Sequence, residues 1–288
     1  MSAQQAAIDV DRAHRLAFLG AGAMAGTIVA GLVRAGRDPQ GIAVTTHTPA
    51  HREKLAADLG VHAFGDNERA AAWARTIVIG VKPADVLALL DQITPVLGPD
   101  NLVISLAAGL STELLSAHLP SGVHVVRVMP NTPARVGEGM SGVSAGRTAT
   151  RHDVDTAIML MESVGKAVEI PEKLQDPLTA ISGSGPAYVF YFVEALIEAG
   201  VTQGLPRPLA TQLAVQTLLG SARLLDEGTE SVTRLREAVT SPGGTTAAAL
   251  RALDDNGLRS AVQDAVEACA RRSAELAAAA EAQAAKLN

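Results

Sequence analysis

The residues best suited to binding chemistry in this chain of 288 residues form the loop Ser241-Pro242-Gly243-Gly244-Thr245-Thr246-Ala247, between two helical patterns. Its two glycines let the backbone approach a ligand closely, and the first amide groups of the following helix have no partner within that helix. Such amides bind anions, and the hydroxyls of Ser241 and Thr246 add donors and acceptors. Serine and threonine also cap helices, but two glycines with two threonines exceed that need. The loop predicts a site for a small carboxylate.

A second loop, near residue 20, predicts a dinucleotide site. Residues 20–25 read Gly-Ala-Gly-Ala-Met-Ala, follow an apolar strand pattern at 15–19 and open a helical pattern. In this context the G-x-G-x-x-G/A spacing puts the first glycine in a tight turn, the second beside the pyrophosphate, and the small Ala25 against the strand. A cofactor loop and a distant anion loop together indicate a two-domain redox enzyme.

The end of the second predicted strand indicates which nicotinamide cofactor is used. NAD enzymes usually place an acid there to bind the ribose 2′-hydroxyl. Here the stretch from Thr45 to Thr48 offers three threonines and His47, with Arg52 further on. No carboxylate in this stretch would repel a 2′-phosphate, and the hydroxyls, the histidine and the arginine could accept it. The sequence therefore favours NADPH, with NADH still possible.

Strand and helix signals divide the chain into two domains. Short apolar stretches alternate with helical patterns up to residue 170, which predicts an α/β fold with a doubly wound parallel sheet; strands are expected at 15–19, 41–46, 76–81, 102–106, 124–129, 142–145 and 167–170. Beyond Pro171 only helical patterns follow. We expect a disordered extension at 1–14, a dinucleotide-binding domain at 15–172 and an all-helical domain at 173–288. The apolar pattern from Ala187 to Ala199 predicts a helix buried in a core or against another subunit.

The composition argues against several classes of protein. The net charge of −6 is modest and unclustered, which argues against nucleic-acid binding. No apolar run is expected to reach the roughly 18–20 residues of a membrane span, so we expect no membrane association. The single cysteine, Cys269, cannot form an internal disulfide, and this favours a cytoplasmic location. The histidines show no metal-ligand spacing, so no metal is expected.

With these motifs placed, the chain resembles the pyrroline-5-carboxylate reductases over about residues 15–276. The matching stretches are 18–25, 81–83, 105–109, 127–133, 182–188 and 239–246, of which the last two are long and specific. The resemblance implies a Rossmann-type N-terminal domain followed by an all-helical dimerisation domain. It also implies homodimers that often assemble into a larger ring, with the active site between the cofactor domain and the dimerised helices.

The resemblance also implies which residues line the two sites. The cofactor is expected to contact loops that follow the strands, and the resemblance implies contacts at Leu19, Gly20, Ala21, Gly22, Ala23, Met24, Thr46, Asn67, Val81, Lys82, Pro83, Leu106, Ala107 and Ala108. The residues themselves add Ala25 of the glycine-rich motif, Asn131, and His47, whose loop is less typical of the family. Asn131 would either hydrogen-bond the nicotinamide amide or organise its own loop. The substrate is expected to contact Val239, Gly243, Gly244 and Thr245, with Ser241 and Thr246 as the candidate catalytic residues.

The implied substrate is a five-membered cyclic imine that carries a carboxylate. Reduction moves a hydride to the imine carbon and a proton to the nitrogen, so the enzyme must mainly hold the imine carbon about 3–3.5 Å from the nicotinamide carbon. Ser241 and the amides of residues 243–246 are expected to hold the carboxylate. A threonine hydroxyl is a poor acid, so Thr246 is expected to orient the ring nitrogen rather than protonate it. Lys82 is expected at the cofactor, not as the acid.

Particular residues argue for or against three other functions. A β-hydroxyacid dehydrogenase would carry a catalytic lysine after a second glycine-rich stretch, whereas residues 183–185 lead into Pro186-Ala187-Tyr188 without one. A reductase of a related cyclic imine carboxylate remains an alternative, because such substrates are anchored in the same way. A non-catalytic NADP-binding dimeric sensor is also possible, but it leaves the loop at 241–246 unexplained.

Overall fold

A computed structural model describes residue 12 and residues 14–284. Apart from Arg12 and His14, the extension expected at 1–14 lies outside the described residues. Contacts divide the chain into two units, Met1–Gly183 with Cys269–Asn288, and Ser184–Ala268. Residues 173–183 therefore group with the first unit, and the domain boundary expected after residue 172 stays a prediction.

The first unit is built on an eight-stranded sheet. Its strands are β1 Leu16–Leu19, β2 Ile42–Thr45, β3 His62–Ala63, β4 Thr76–Ile79, β5 Leu102–Ser105, β6 His124–Met129, β7 Gly139–Ala145 and β8 Gly165–Glu169. They lie in the order β3-β2-β1-β4-β5-β6-β7-β8, and every pairing from β3 to β6 is parallel. This arrangement confirms the expected doubly wound α/β fold.

Two strands depart from the expected parallel sheet. β7 runs antiparallel to β6, with Val143 opposite Val128, and β8 is parallel to β7. A parallel connection needs a crossover of about a dozen residues or more. The link from Met129 to Gly139 is shorter and contains one short 3-10 helix, Thr132–Val136. The chain must therefore turn back, so β7 and β8 both run opposite to β1–β6, and the expectation of a wholly parallel sheet was wrong at these two strands. The sequence also gave no sign of β3, whose two residues are exposed.

Helices cover both faces of the sheet. They are α1 Ala23–Arg34, α2 Pro49–Leu59, α3 Asn67–Trp73, α4 Pro83–Ile93, α5 Thr112–Ala117, α6 Arg151–Glu162 and α7 Gln175–Leu178. Because side chains alternate along a strand, β1 contributes Phe18 to one apolar cluster and Leu19 to the other. Phe18 shares its cluster with Ile28 of α1, whereas Leu19 shares its cluster with Leu90 of α4. The two cores hold the strand ends in fixed positions.

The second unit is helical. It contains α8 Gly185–Thr202, α9 Arg207–Asp226, α10 Val232–Ala238, α11 Thr245–Asp255 and the first part of α12 Leu258–Ala284. The expected long apolar helix corresponds to α8, but its own chain does not bury it. Phe190 is 67% exposed, Tyr191 76% and Phe192 48%. Large exposed apolar side chains next to one another are unusual on the surface of a monomer.

A further expectation about α8 needs correction. The sequence was expected to contain no apolar run of membrane-spanning length. The helical stretch Glu172–Thr202, which ends in α8, is nevertheless long and apolar enough to cross a membrane, judged by length and composition alone. An apolar helix that packs against another subunit meets the same criterion.

The end of α12 belongs to the first unit. Ser273 donates a hydrogen bond from Oγ to Oδ1 of Asp176 at 2.7 Å, and Ser111 donates to Oε1 of Glu281 at 3.0 Å. Ala280 packs against the apolar cluster that contains Leu19. The last turns of the chain thus complete a unit whose sheet is formed from residues before 170.

Candidate functional site

The loop between β1 and α1 has the geometry of a phosphate-binding turn. Gly20 has a φ of 80°, and a Cβ there would collide with the side chain of Val81, so a glycine is required. Gly22 is the N-cap residue of α1, and no side chain caps this helix. A Cβ on Gly22 would meet no described atom closer than 4.0 Å. The space before the first amides of α1 is therefore open to a phosphate.

Small residues bring α1 close to the sheet. Ala25 is buried, and a Cβ added to Gly80 would lie 2.7 Å from the Cβ of Ala25. The third small position of the motif is thus required by packing. Gly80 leads into Val81 and the exposed Lys82, which is the N-cap residue of α4 ahead of Pro83. The loop after β4 therefore touches the glycine-rich loop after β1.

Thr45, which the sequence pattern did not single out, ties this loop to its neighbours, and the cofactor contact expected at Thr46 stays a prediction. The buried Thr45 hydroxyl accepts a hydrogen bond from the amide of Gly20 at 3.1 Å and donates one to Oδ1 of Asn67 at 2.7 Å. The carbonyl of Thr45 accepts from the amide of Ala21 at 2.7 Å. Asn67 also donates to Oε1 of Gln92 at 3.1 Å. One hydroxyl thus links the glycine-rich loop to α3 and, through Asn67, to α4.

The exposed residues after β2 carry hydroxyls and rings. Thr46 donates from Oγ1 to the carbonyl of Thr48 at 2.7 Å, and His47 is exposed. His51 places Nε2 3.2 Å from the carbonyl oxygen of Ala21. Because a carbonyl only accepts, the protonated nitrogen in this contact is Nε2. The contact between His51 and the glycine-rich loop was not expected from the sequence. It forms because His51 lies in the first turn of α2.

The loops after β5 and β6 complete the same edge of the sheet. The amide of Leu106 donates to the carbonyl of Ile79 at 3.0 Å, and the amide of Ala107, ahead of Ala108, donates to Oγ of Ser105 at 3.3 Å. Asn131 follows β6 and is 8% exposed. Parallel strands end at one edge, where α/β proteins bind their ligands. The structure thus gathers the predicted cofactor residues at this edge of the first unit.

The predicted substrate residues lie together in the second unit, in the loop before α11. Gly243 has a φ of 69°, and a Cβ on Gly244 would collide with Oγ of Ser241. Gly244 is the N-cap residue of α11, which has no side-chain cap, and Thr245 and Thr246 form its first turn. Val239 is exposed. The loop therefore presents uncapped helix amides beside hydroxyl groups, which suits a carboxylate.

A buried charge cluster lies at the opposite edge of the first unit. The buried carboxylate of Asp153 accepts hydrogen bonds from the amide and hydroxyl of Thr150 and lies 2.6 Å from Nδ1 of His124, the first residue of β6. Burial raises the pKa of Asp153, but the hydrogen bonds from Thr150 and the interaction with His124 outweigh burial and hold this pKa below its usual value. The cluster is at the amino end of β6, away from the candidate cofactor edge.

No group of three or more histidine, cysteine, aspartate or glutamate residues in the described part of the chain is arranged to hold a metal ion.

Two family models match the chain, one in its N-terminal part and one in its C-terminal part. Residues 172–276 match the model for pyrroline-5-carboxylate reductase dimerisation. Residues 15–109 match the model described as NADP oxidoreductase, coenzyme F420-dependent.

Known proteins with the same organisation cover nearly the whole chain. A pyrroline-5-carboxylate reductase from Corynebacterium melassecola is 40% identical, over 91% of this chain and 98% of its own length. The pyrroline-5-carboxylate reductase structure from Coxiella burnetii aligns with a TM-score of 0.88 at 38% identity, over 91% of this chain and 98% of that one. The Plasmodium falciparum pyrroline carboxylate reductase structure, with NADP bound, aligns with a TM-score of 0.82 at 33% identity, over 92% and 99%. This chain therefore belongs to the pyrroline-5-carboxylate reductase family.

Proposed function

We propose that this protein reduces L-1-pyrroline-5-carboxylate to L-proline with NADPH, the last step of proline biosynthesis. The observation that carries the proposal is the uncapped N-terminus of α11 behind the loop at 241–246, in a chain of this family. That loop offers backbone amides and hydroxyls to one small carboxylate. The reaction also requires a dinucleotide cofactor, and the glycine-rich loop of the first unit provides a place to bind it.

The residues at the sheet edge fit NADPH. The free space at Gly22 and the uncapped amides of α1 suit a pyrophosphate. The stretch after β2 carries Thr46 and His47 and no carboxylate that would repel a 2′-phosphate. A relative's structure has NADP bound. When bound, NADPH supplies the hydride that reduces the imine carbon, and NADH remains a slower alternative donor.

The residues of the loop before α11 bind and orient the substrate in this proposal. The amides of residues 243–246 and the Ser241 hydroxyl hold the carboxylate. Thr246 directs its hydroxyl at the ring nitrogen and fixes the face that the imine carbon presents. The carbon–nitrogen double bond gains the hydride at carbon and a proton at nitrogen. Since a protonated imine is already electrophilic, no covalent nucleophile is required, and the exposed Lys82 has no acid role.

The same proposal covers assembly and location. The dimerisation model matches residues 172–276, and a second copy of the chain covers the exposed aromatic face of α8. Dimers then assemble into a larger ring. With that face covered by protein, the helix has no need of a membrane, and the enzyme acts in the cytoplasm.

The test is the oxidation of NADPH and NADH, followed at 340 nm with pyrroline-5-carboxylate and, in parallel, with the 2-carboxylate isomer. We expect rapid turnover of the first substrate, proline as the product, and the faster rate with NADPH. Turnover of the isomer alone would reassign the protein to a related imine reductase. Cofactor binding without turnover of either substrate would instead support the non-catalytic sensor.

A further inference from the structure

The carboxamide of Asn131 bridges three separate segments of the first unit. Its Oδ1 accepts a hydrogen bond from the amide of Met140 in β7 at 2.8 Å. Its Nδ2 donates one to the carbonyl of Ser182 at 3.0 Å. Asn131 itself lies in the link after β6 and is nearly buried. Both polar ends of this side chain are thus used by backbone groups far apart in sequence.

Ser182 belongs to an unusual turn. Residues Thr179–Gly183 form a π-helix, a geometry that is rare and occurs often at functional sites. Gly183 lies against Met129, the last residue of β6, since a Cβ on Gly183 would be 2.8 Å from Cε of Met129. The hydroxyl of Ser182 is buried without a hydrogen-bond partner among the described residues, so it does not anchor the turn. The Asn131 amide does.

The position of this turn along the sheet edge matters for the reaction. In a doubly wound fold the end of β2 faces the adenosine ribose, and the loop after β1 faces the pyrophosphate. The other half of the dinucleotide must then extend past the ends of β4, β5 and β6. Asn131 and the π-helical turn lie at the end of β6.

We infer that Asn131 is a positioning residue for hydride transfer, because its carboxamide fixes the π-helical turn Thr179–Gly183 as a wall of the nicotinamide pocket. This inference rests on the proposed function. It differs from direct cofactor binding by Asn131, since the amide oxygen and one N–H already serve the protein backbone.

The decisive variant is Asn131→Asp. It keeps an acceptor for the amide of Met140 but replaces the donor to Ser182 with an oxygen that faces a carbonyl oxygen. The chain offers a matched control in Asn101→Asp. Asn101 is 3% exposed, accepts from the amide of Gly98 and donates to the carbonyls of Ala74 and Arg75. These hydrogen bonds of Asn101 lie just before β5, at the edge of the sheet opposite the candidate cofactor site.

Four measurements separate positioning from stability. In Asn131→Asp we expect kcat with NADPH to fall about 10- to 100-fold, while the Kd for NADPH changes less than about threefold. The isotope effect with 4-deuterated NADPH should rise, because hydride transfer becomes more rate-limiting. Without cofactor, amide hydrogen exchange in residues 179–183 should speed up. Asn101→Asp should lower the melting temperature at least as much and change none of these four quantities.

Each other outcome overturns the inference. An unchanged kcat and isotope effect in Asn131→Asp would refute it, as would an equal fall in kcat for Asn101→Asp. A raised Kd for NADPH with normal kcat would make Asn131 a direct cofactor contact. A second variant, Asn131→Ser, is smaller and neutral and is assayed in the same way. Fluorescence titration with NADPH shows that each variant is folded. A normal kcat in a folded Asn131→Ser variant also refutes the positioning role of Asn131. A wild-type enzyme that does not turn over would refute the proposed function first.

Discussion

Replacing Thr45 with valine removes one hydroxyl at nearly constant volume. In the native structure this hydroxyl accepts from the amide of Gly20 and donates to Asn67. Valine leaves the amide of Gly20 and Oδ1 of Asn67 without that partner in a partly buried environment. A buried group left unsatisfied costs about 1–3 kcal/mol, and each kcal/mol lowers the melting temperature of a unit of this size by about 2–4 °C. For a loss of about 2 kcal/mol we expect a fall of roughly 4–8 °C.

The same substitution should weaken cofactor binding, because the glycine-rich loop would have to order itself when NADPH binds. Each 1.4 kcal/mol of lost preorganisation weakens the affinity about tenfold. Differential scanning fluorimetry and fluorescence titration with NADPH measure the two effects. Thr45→Ser retains the hydroxyl and should restore both. Thr27→Val serves as the control, since Thr27 only donates to the carbonyl of Ala23 one turn earlier in α1. If Thr45→Val matched wild type in melting temperature and in NADPH affinity, the proposed role of the Thr45 hydroxyl in holding the glycine-rich loop would be refuted.

Four further predictions concern separate parts of the molecule. Thr246→Ala should lower turnover about 100-fold and leave NADPH affinity unchanged; equal losses would make the loop structural. Gly22→Val should abolish NADPH binding at an unchanged melting temperature, because its Cβ has room in the protein; retained affinity would contradict the dinucleotide site. The lowered pKa of Asp153 contributes stability above about pH 4, the usual aspartate value, that is lost as the pH falls toward the native pKa. The melting temperature of Asp153→Asn should therefore fall less steeply below pH 4 than that of wild type. Tyr191→Glu should shift the dimer toward monomer in light scattering; an unchanged mass would exclude this face from the interface.

The sequence predicted those features that depend on local spacing. The loop at Gly20 could be placed because the motif, the preceding strand and the following helix are contiguous. The structural role of Thr45 was not predicted, because its hydroxyl bonds Gly20 and Asn67, which lie far from it in sequence. The cofactor contact expected at Thr46 stays a prediction.

Contacts between residues far apart in sequence explain the remaining differences between the predicted and the observed fold. The reversal of β7 depends on the short link after Met129, which the hydrophobic pattern does not reveal. Residues 173–183 group with the first unit through side-chain hydrogen bonds such as Gln175 to Ser144 at 2.8 Å. Composition changes near Pro171, but these contacts join residues far apart in sequence. No local pattern predicts them.

The grouping of Cys269–Asn288 with the first unit has a consequence for the order of events during synthesis. A ribosome adds about 5–20 residues per second, so β8, the last strand of the sheet, leaves it roughly 5–20 seconds before the turns of α12 that carry Ser273 and Glu281. During that interval Asp176 and Ser111 lack the partners that Ser273 and Glu281 later provide. The nascent first unit therefore reaches its final form only after the turns of α12 that carry Ser273 and Glu281 have been synthesised.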